Sequence, residues 1–201
     1  MPSSRSPSPR APRTAPHKVR IIGGRFKRTP IPVLDLPGLR PTPDRVRETA
    51  FNWLHHLWQG EFAGKTVLDA FAGTGALGFE AASRGVAQAV LIEADRRAAA
   101  GLEALRMRLR ADNVRIIAGD AHATLARGLL PRFDLVMLDP PFGQGWLERV
   151  LPLALQALTD EGILYIEAES PVAAPAGTEL LRQDKAGAVH FHLFRWAAAA
   201  T

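Results

Sequence analysis

The sequence predicts an α/β protein: a doubly wound, mainly parallel sheet of seven strands, with a small amino-terminal hairpin-and-helix extension. Three observations predict it. Apolar, β-favouring runs alternate with helical patterns from residue 66 to residue 168, the order that yields parallel strands joined by crossover helices. Two further runs, Glu179–Arg182 and Val189–Trp196, flank Ala186-Gly187 and read as a closing antiparallel pair. Acids fall at the ends of successive strands, at Asp69, Glu93, Asp120 and Asp139, where open α/β sheets bind ligands.

The 201 residues suffice for one sizeable domain and a small appendage. A hydrophobic content of 47% and a mean hydropathy of −0.03 are those of an ordinary globular protein. No run approaches the roughly 20 apolar residues of a membrane span, and no apolar segment follows the amino-terminal charges as in a secretory signal. The absence of cysteine excludes disulfides, a thiolate nucleophile and Cys-based zinc sites, and a cytoplasmic location is expected. The net charge of +5 is uneven. Arg5, Arg10, Arg13, Lys18, Arg20, Arg25, Lys27 and Arg28 all precede the first acid, Asp35, leaving 17 basic against 20 acidic side chains in the remainder. A basic segment on a mildly acidic body points to a polyanionic partner, nucleic acid first, or to a solubilising tail.

Residues 1–18 are rich in Ser, Pro and Arg, offer little to bury, and read as a disordered basic tail. Their five prolines argue against an amphipathic targeting helix. Val19–Leu34 reads as a hairpin around Gly23-Gly24. Its Arg25, Lys27 and Arg28 form either a phosphate-contacting patch or a solvated face. Leu39–Trp58 reads as a helix capped by Thr42, with Pro43 in its first turn and Asp44 and Glu48 near its positive end. Val46, Ala50, Leu54 and Leu57 make its apolar stripe, widened by Phe51 and Trp58. Arg40, Arg45 and Arg47 are placed to meet RNA phosphate or a cofactor, or to pair with Asp44 and Glu48 on the surface.

Thr66–Ala72 is the first strand of the main sheet, followed by Gly73-Thr74-Gly75-Ala76-Leu77-Gly78 and a helix to about Arg84. Glycines here let the backbone approach a ligand, and the helix start offers free N–H groups. The pattern also fits a dinucleotide fold. Asp69, just ahead of the loop, suits an ammonium better than a pyrophosphate, and S-adenosylmethionine carries an ammonium and no phosphate. Ala89–Ala94 is the second strand. Its Glu93 is placed to accept two ribose hydroxyls, and the adjacent Asp95 to cap the next helix. Arg96–Arg110 is that helix, with Leu102, Leu105 and Leu109 facing inward. Val114–Gly119 is the third strand. The following Asp120 accepts a hydrogen bond from an adenine amine or caps the helix Ala121–Leu130.

Phe133–Leu138 is a buried strand that ends in Asp139-Pro140-Pro141-Phe142. Each of Asp139 and Pro140 precedes a proline and is held extended, so the loop is stiff. Asp139 and the Pro140 carbonyl can accept the two N–H bonds of a planar amine, and Phe142 can stack on the ring that bears it. Gly143–Leu158 reads as a helix interrupted or kinked near Pro152, and Gly162–Ala168 as a fifth strand. His190 and His192 alternate with Phe191 and Leu193 and are expected on one exposed face. No histidine spacing suggests a metal site.

RPTPDRVRETAFNWL, DAFAGTGALGFEA, LIEAD, LDPPF and GILYIEAES, in this order, resemble the bacterial RsmD family, over roughly residues 19–196. The resemblance implies a Rossmann-like class I methyltransferase that methylates the exocyclic 2-amino group of a guanine in small-subunit (16S) ribosomal RNA. It implies S-adenosylmethionine contacts at Asp69, Phe71, Gly73, Gly75, Glu93 and Asp120, and catalysis at Asp139, Pro140, Pro141 and Phe142. The expected substrate is the RNA or an assembling 30S subunit, met by Arg25, Lys27, Arg28, Arg40, Arg45 and Arg47. The expected division is a tail at 1–18, an RNA-binding extension at 19–60 and a methyltransferase domain at 61–201, acting as a monomer without a metal. The residues themselves leave other readings open: an amino-methyltransferase of DNA adenine or protein glutamine, a nicotinamide-dependent dehydrogenase, or an RNA-binding protein without catalysis.

Overall fold

A short antiparallel pair opens the described chain. In the computed structural model, which describes residues 19–33 and 43–197, β1 (Val19–Arg20) pairs with β2 (Pro30–Ile31), Val19 opposite Ile31. The expected tail, Leu34, Arg40 and Thr42 lie outside the described residues. Helix α1 (Asp44–Leu57) has Pro43 at its N-cap position, one place earlier than expected, and its carbonyl takes the Arg47 N–H. Proline suits that place because it has no N–H to leave unsatisfied.

The main sheet comprises β3 (Thr66–Asp69), β4 (Gln88–Glu93), β5 (Val114–Ala118), β6 (Phe133–Leu138), β7 (Leu158–Ala168), β8 (Thr178–Ala186) and β9 (Val189–Trp196). Its order is β5-β4-β3-β6-β7-β9-β8, parallel from β5 to β7 and antiparallel in the last two pairings. The expected seven-stranded, doubly wound sheet is therefore the one observed. Between its strands lie α2 (Ala76–Ser83), α3 (Arg96–Leu109), α4 (Ala121–Ala126) and α5 (Trp146–Gln156).

The sheet is covered on both faces, which is why its central strands are continuous apolar runs. Val67, Leu135, Met137, Ile163 and Leu193 share one core with the hairpin, α1, α2 and α3. Leu68, Val136, Leu138, Leu164, Ile166 and Phe194 share the other with α4 and α5. The hairpin and α1 thus bury Val19, Ile21, Phe26, Phe51 and Leu54 in the same core as the sheet. Trp53 stacks on Phe191 of β9 at 5.1 Å.

The hairpin is clamped to the end of α2. The Arg25 N–H caps the Ser83 carbonyl at 2.7 Å, the Phe26 N–H donates to Ser83 Oγ, and that hydroxyl donates to the Gly23 carbonyl. At Gly24, φ is +73° and an added Cβ would lie 1.8 Å from the Ser83 oxygen. Glycine is required there by the turn and by contact with the helix end.

Several boundaries differ from expectation. The last helices are shorter: α4 stops at Ala126, before Gly128 with its φ of +63°, and α5 starts only after Gly143 and Gly145, both at positive φ. Helix α5 runs on through Pro152, whose exposed side lets water reach the unpaired carbonyl one turn back. Strand β7 begins at Leu158, and an irregularity sets Phe133 opposite Leu158 but Leu135 opposite Ile163. His192 is not on an exposed face: it is 1% exposed, takes the Val172 N–H on Nε2 and stacks on Phe194. The chain following β7 covers that side of the sheet, and burial lowers the His192 pKa. Among the described residues no helix is long and apolar enough to cross a membrane.

Candidate active site

The strand order reverses between β3 and β6, and there the helices leave the sheet in opposite directions. Such a reversal opens a crevice at the carboxyl ends of the strands. Here it is a cleft of about 740 Å³, within the size range of small-molecule sites. Its lining includes Glu93, Asp95, Asp120, Asp139, Glu167 and Glu169, and among the described residues no lysine, arginine or histidine.

Asp69 closes β3 and is 1% exposed. Its Oδ2 takes the Gly78 N–H at 2.9 Å, while Oδ1 is sealed from solvent without a well-formed hydrogen bond. Burial, followed by the charge of Asp139, raises its pKa to about 7, against the lowering effect of the Gly78 and Phe71 amides. A cation would restore the charged form.

The glycine loop passes over this carboxylate into α2. Gly75 holds the N-cap position with φ +81°, and a Cβ there would come within 2.6 Å of Leu102 Cδ2. The Gly73 N–H donates to Glu93 Oε2 at 2.7 Å, and the Asp95 N–H to Glu93 Oε1 at 2.8 Å. Glu93 is thereby fixed at the cleft wall, with acceptor capacity left on each oxygen. Asp95 caps α3 through the Arg97 and Ala98 amides, as expected. Asp120 caps α4 through the Ala123 N–H at 2.7 Å, and it also lines the cleft. Phe71 meets Trp146 edge to face at 6.1 Å, forming an aromatic wall.

Asp139, Pro140, Pro141 and Phe142 follow β6, and all four line the cleft. Pro140 is buried, Pro141 exposed, and Asp139 and Phe142 half-buried. Of the expected residues, Phe71, Gly73, Glu93, Asp120 and the four of the turn line the cleft, while Asp69 and Gly75 are not in its lining but adjoin the lining residues Ala70, Thr74 and Ala76. The cleft also brings in residues that the sequence reading passed over: Glu167 and Glu169 from the end of β7, Trp146 from α5, and Pro43 from the start of α1. Glu167 is 2% exposed and takes the Tyr165 hydroxyl at 2.8 Å. Burial, with the Glu167 charge, raises the Tyr165 pKa well above its usual value and keeps the phenol protonated. The signal was present: GILYIEAE places an acid at a strand end, as LDA and LIE do in β3 and β4.

The basic residues divide. Arg25, Lys27, Arg28 and Arg45 are exposed. Arg47 is not, which corrects its reading as an RNA contact and as a surface ion pair. It is 0% exposed, donates to Asp44 and to the Arg20 carbonyl, and lies 3.7 Å from Glu80. Its place in α1 is the reason: residues 47, 50, 51 and 54 lie on one helical face, and that face is buried.

The family described as "Conserved hypothetical protein 95" matches residues 19–195. The chain is 42% identical over 183 residues to ribosomal RNA small subunit methyltransferase D of Escherichia coli K12, covering 89% of this chain and 90% of the relative. It is 36% identical over 186 residues to the Haemophilus influenzae protein of the same name, covering 89% and 94%. The solved yhhF chain of Escherichia coli superposes with a TM-score of 0.79 at 41% identity, covering 90% of this chain and 99% of that one. On this similarity the chain belongs to the RsmD family.

Proposed function

We propose that this protein transfers a methyl group from S-adenosylmethionine to the exocyclic 2-amino group of a guanine in small-subunit ribosomal RNA. The observation that carries this reading is the Asp-Pro-Pro-Phe turn opening into the same acidic cleft as Glu93 and Ala70-Phe71, the residues that follow Asp69. The cleft fits the cofactor's chemistry. Asp69, with one sealed oxygen, matches an ammonium; Glu93, anchored by two amides, matches a ribose diol; Phe71 and Asp120 suit the adenine. A dinucleotide would set its phosphates among the carboxylates of the lining, which disfavours the dehydrogenase reading.

When bound, the cofactor supplies an electrophilic methyl on a sulfonium. The protein's part is to aim the amine. A guanine 2-amino lone pair is delocalised into the ring and attacks poorly. Asp139 and the Pro140 carbonyl accept its two N–H bonds and turn the lone pair toward the methyl, so that catalysis is orientation and electrostatics. Pro141 stiffens the turn. Phe142 stacks on the base, offsetting part of the cost of unstacking it, roughly 1–3 kcal/mol. Arg25, Lys27, Arg28 and Arg45 supply phosphate contacts, Arg45 from the first turn of α1 next to the cleft residue Pro43. Arg40 is assigned the same role from sequence alone. The site of action is the cytoplasm.

The test is methyl transfer from labelled S-adenosylmethionine to small-subunit RNA or to subunits from a strain lacking this gene, followed by nucleoside analysis. Label in the guanine 2-amino group, lost with Asp139→Ala, is the expected result. Label in adenine, or only in DNA or protein, overturns the substrate assignment.

A further inference from the structure

Glu167 belongs to the cleft but has no part in the amine-orienting step. Strands β6 and β7 are parallel neighbours with Leu138 opposite Ile166, so the next residues, Asp139 just past β6 and Glu167 still within β7, stand side by side. Neighbouring strands lie about 4.8 Å apart, close enough for both carboxylates to address one base. Glu167 lines the cleft together with all four residues of the Asp-Pro-Pro-Phe turn. It is 2% exposed, and the Tyr165 hydroxyl holds its Oε1 at 2.8 Å. That phenol is a buried donor on the same strand, so the glutamate's orientation is set before substrate arrives. A carboxylate has about four acceptor positions, and the phenol occupies one of them.

The Watson–Crick edge of guanine carries two adjacent donors, N1–H and the 2-amino group. Asp139 addresses the amine. A second fixed carboxylate beside it matches N1–H. Adenine and 2-aminopurine present an acceptor at N1, whose lone pair would face the Glu167 charge.

We propose that Glu167 is the residue that selects guanine, accepting its N1–H, and that Tyr165 is the positioning residue that holds Glu167 for the task. The inference rests on the proposed methylation of guanine. A buried polar group built for one hydrogen bond discriminates strongly against an analogue that cannot make it.

The test compares small-subunit RNA carrying guanosine with the same RNA carrying 2-aminopurine at the methylated position, located first by nucleoside mapping and replaced by ligation of a synthetic segment. Both bases carry the 2-amino group. The wild-type protein is expected to favour guanine in kcat/KM by at least about a hundredfold. Glu167→Gln, whose amide can donate to N1 of the analogue, should narrow that ratio at least tenfold. Tyr165→Phe, which removes only the positioning hydroxyl, should narrow it about threefold or more. A wild-type ratio near one, or a ratio that neither variant changes, overturns the assignment while guanine methylation stands. Absence of label from guanine in the wild-type reaction overturns the underlying reading, and this inference with it. The ratio in the wild-type protein and in Tyr165→Phe stays readable should Glu167→Gln fail to fold.

Discussion

Asp69 is a carboxylate whose function works against stability. In the unfolded chain it titrates near 3.8, and in the native protein at about 7. The native state therefore keeps a proton that the unfolded state gives up between those values. Stability falls as pH rises through that window, and above it the loss reaches about 4 kcal/mol at most. Asp69→Asn keeps an acceptor for the Gly78 N–H and removes the charge. Thermal melting of the cofactor-free protein at pH 8 should show the variant more stable than the wild type. Calorimetric titration should show its affinity for S-adenosylmethionine lower by tenfold or more. A variant no more stable at pH 8 would mean that solvent reaches the carboxylate. At Asp139 the split is different. Asp139→Ala should lower kcat by about 100-fold or more with the cofactor Kd within threefold, because this side chain is assigned to the amine. Equal losses in turnover and cofactor binding would place Asp139 with the cofactor instead.

At the scale of elements, Glu80 joins three of them. It lies in the middle of α2, is 0% exposed, and accepts the Ile22 and Gly23 amides of the hairpin at 2.7 and 2.9 Å. It also pairs with Arg84 at 2.8 Å and lies 3.7 Å from the buried guanidinium of Arg47 in α1. The helix whose first turn forms the cofactor loop is thus tied to the segments that carry the exposed basic residues. Removing one partner of a buried charge pair leaves the other uncompensated. Glu80→Ala should cost about 3–5 kcal/mol in urea unfolding. Gly24→Ala should destabilise by about 2 kcal/mol or more, since both its positive φ and the Ser83 oxygen oppose a Cβ. A Gly24→Ala protein of wild-type stability would show that the hairpin can leave the end of α2 at little cost.

For the whole molecule, the first turn of α1 presents Arg45 near a cleft lined with acids, and the hairpin turn presents Arg25, Lys27 and Arg28 at the far end of α2. On the proposed function, the exposed cations attract phosphates and the acidic cleft repels them, so the cleft takes an extruded base rather than the backbone. Replacing Arg25, Lys27, Arg28 and Arg45 by alanine one at a time should weaken RNA binding. Each replacement should also lower the slope of log K against log salt by about 0.7–0.9 for every phosphate that is no longer neutralised. Melting temperature should hardly move. Arg47→Ala should do the reverse, lowering stability without a change of slope. A surface arginine whose removal leaves the salt slope intact has no phosphate partner.

The parallel sheet was legible in the sequence because buried strands and amphipathic helices have different periods, and their alternation leaves few topologies. Asp69, Glu93 and Asp139 were legible because a polar residue ending an apolar run must sit at a strand end. Tertiary structure alone decided the rest. Whether Arg47 faces water depended on Glu80 and the Arg20 carbonyl, which approach from other elements. Whether His192 is exposed depended on the chain at Val172 passing over it. That Glu167 stands beside Asp139 is a matter of strand register, set by the packing of β6 on β7. Periodicity reports how a residue relates to its own helix or strand. Its partner across the fold is set by which surfaces pack together, and that information is carried by no single segment.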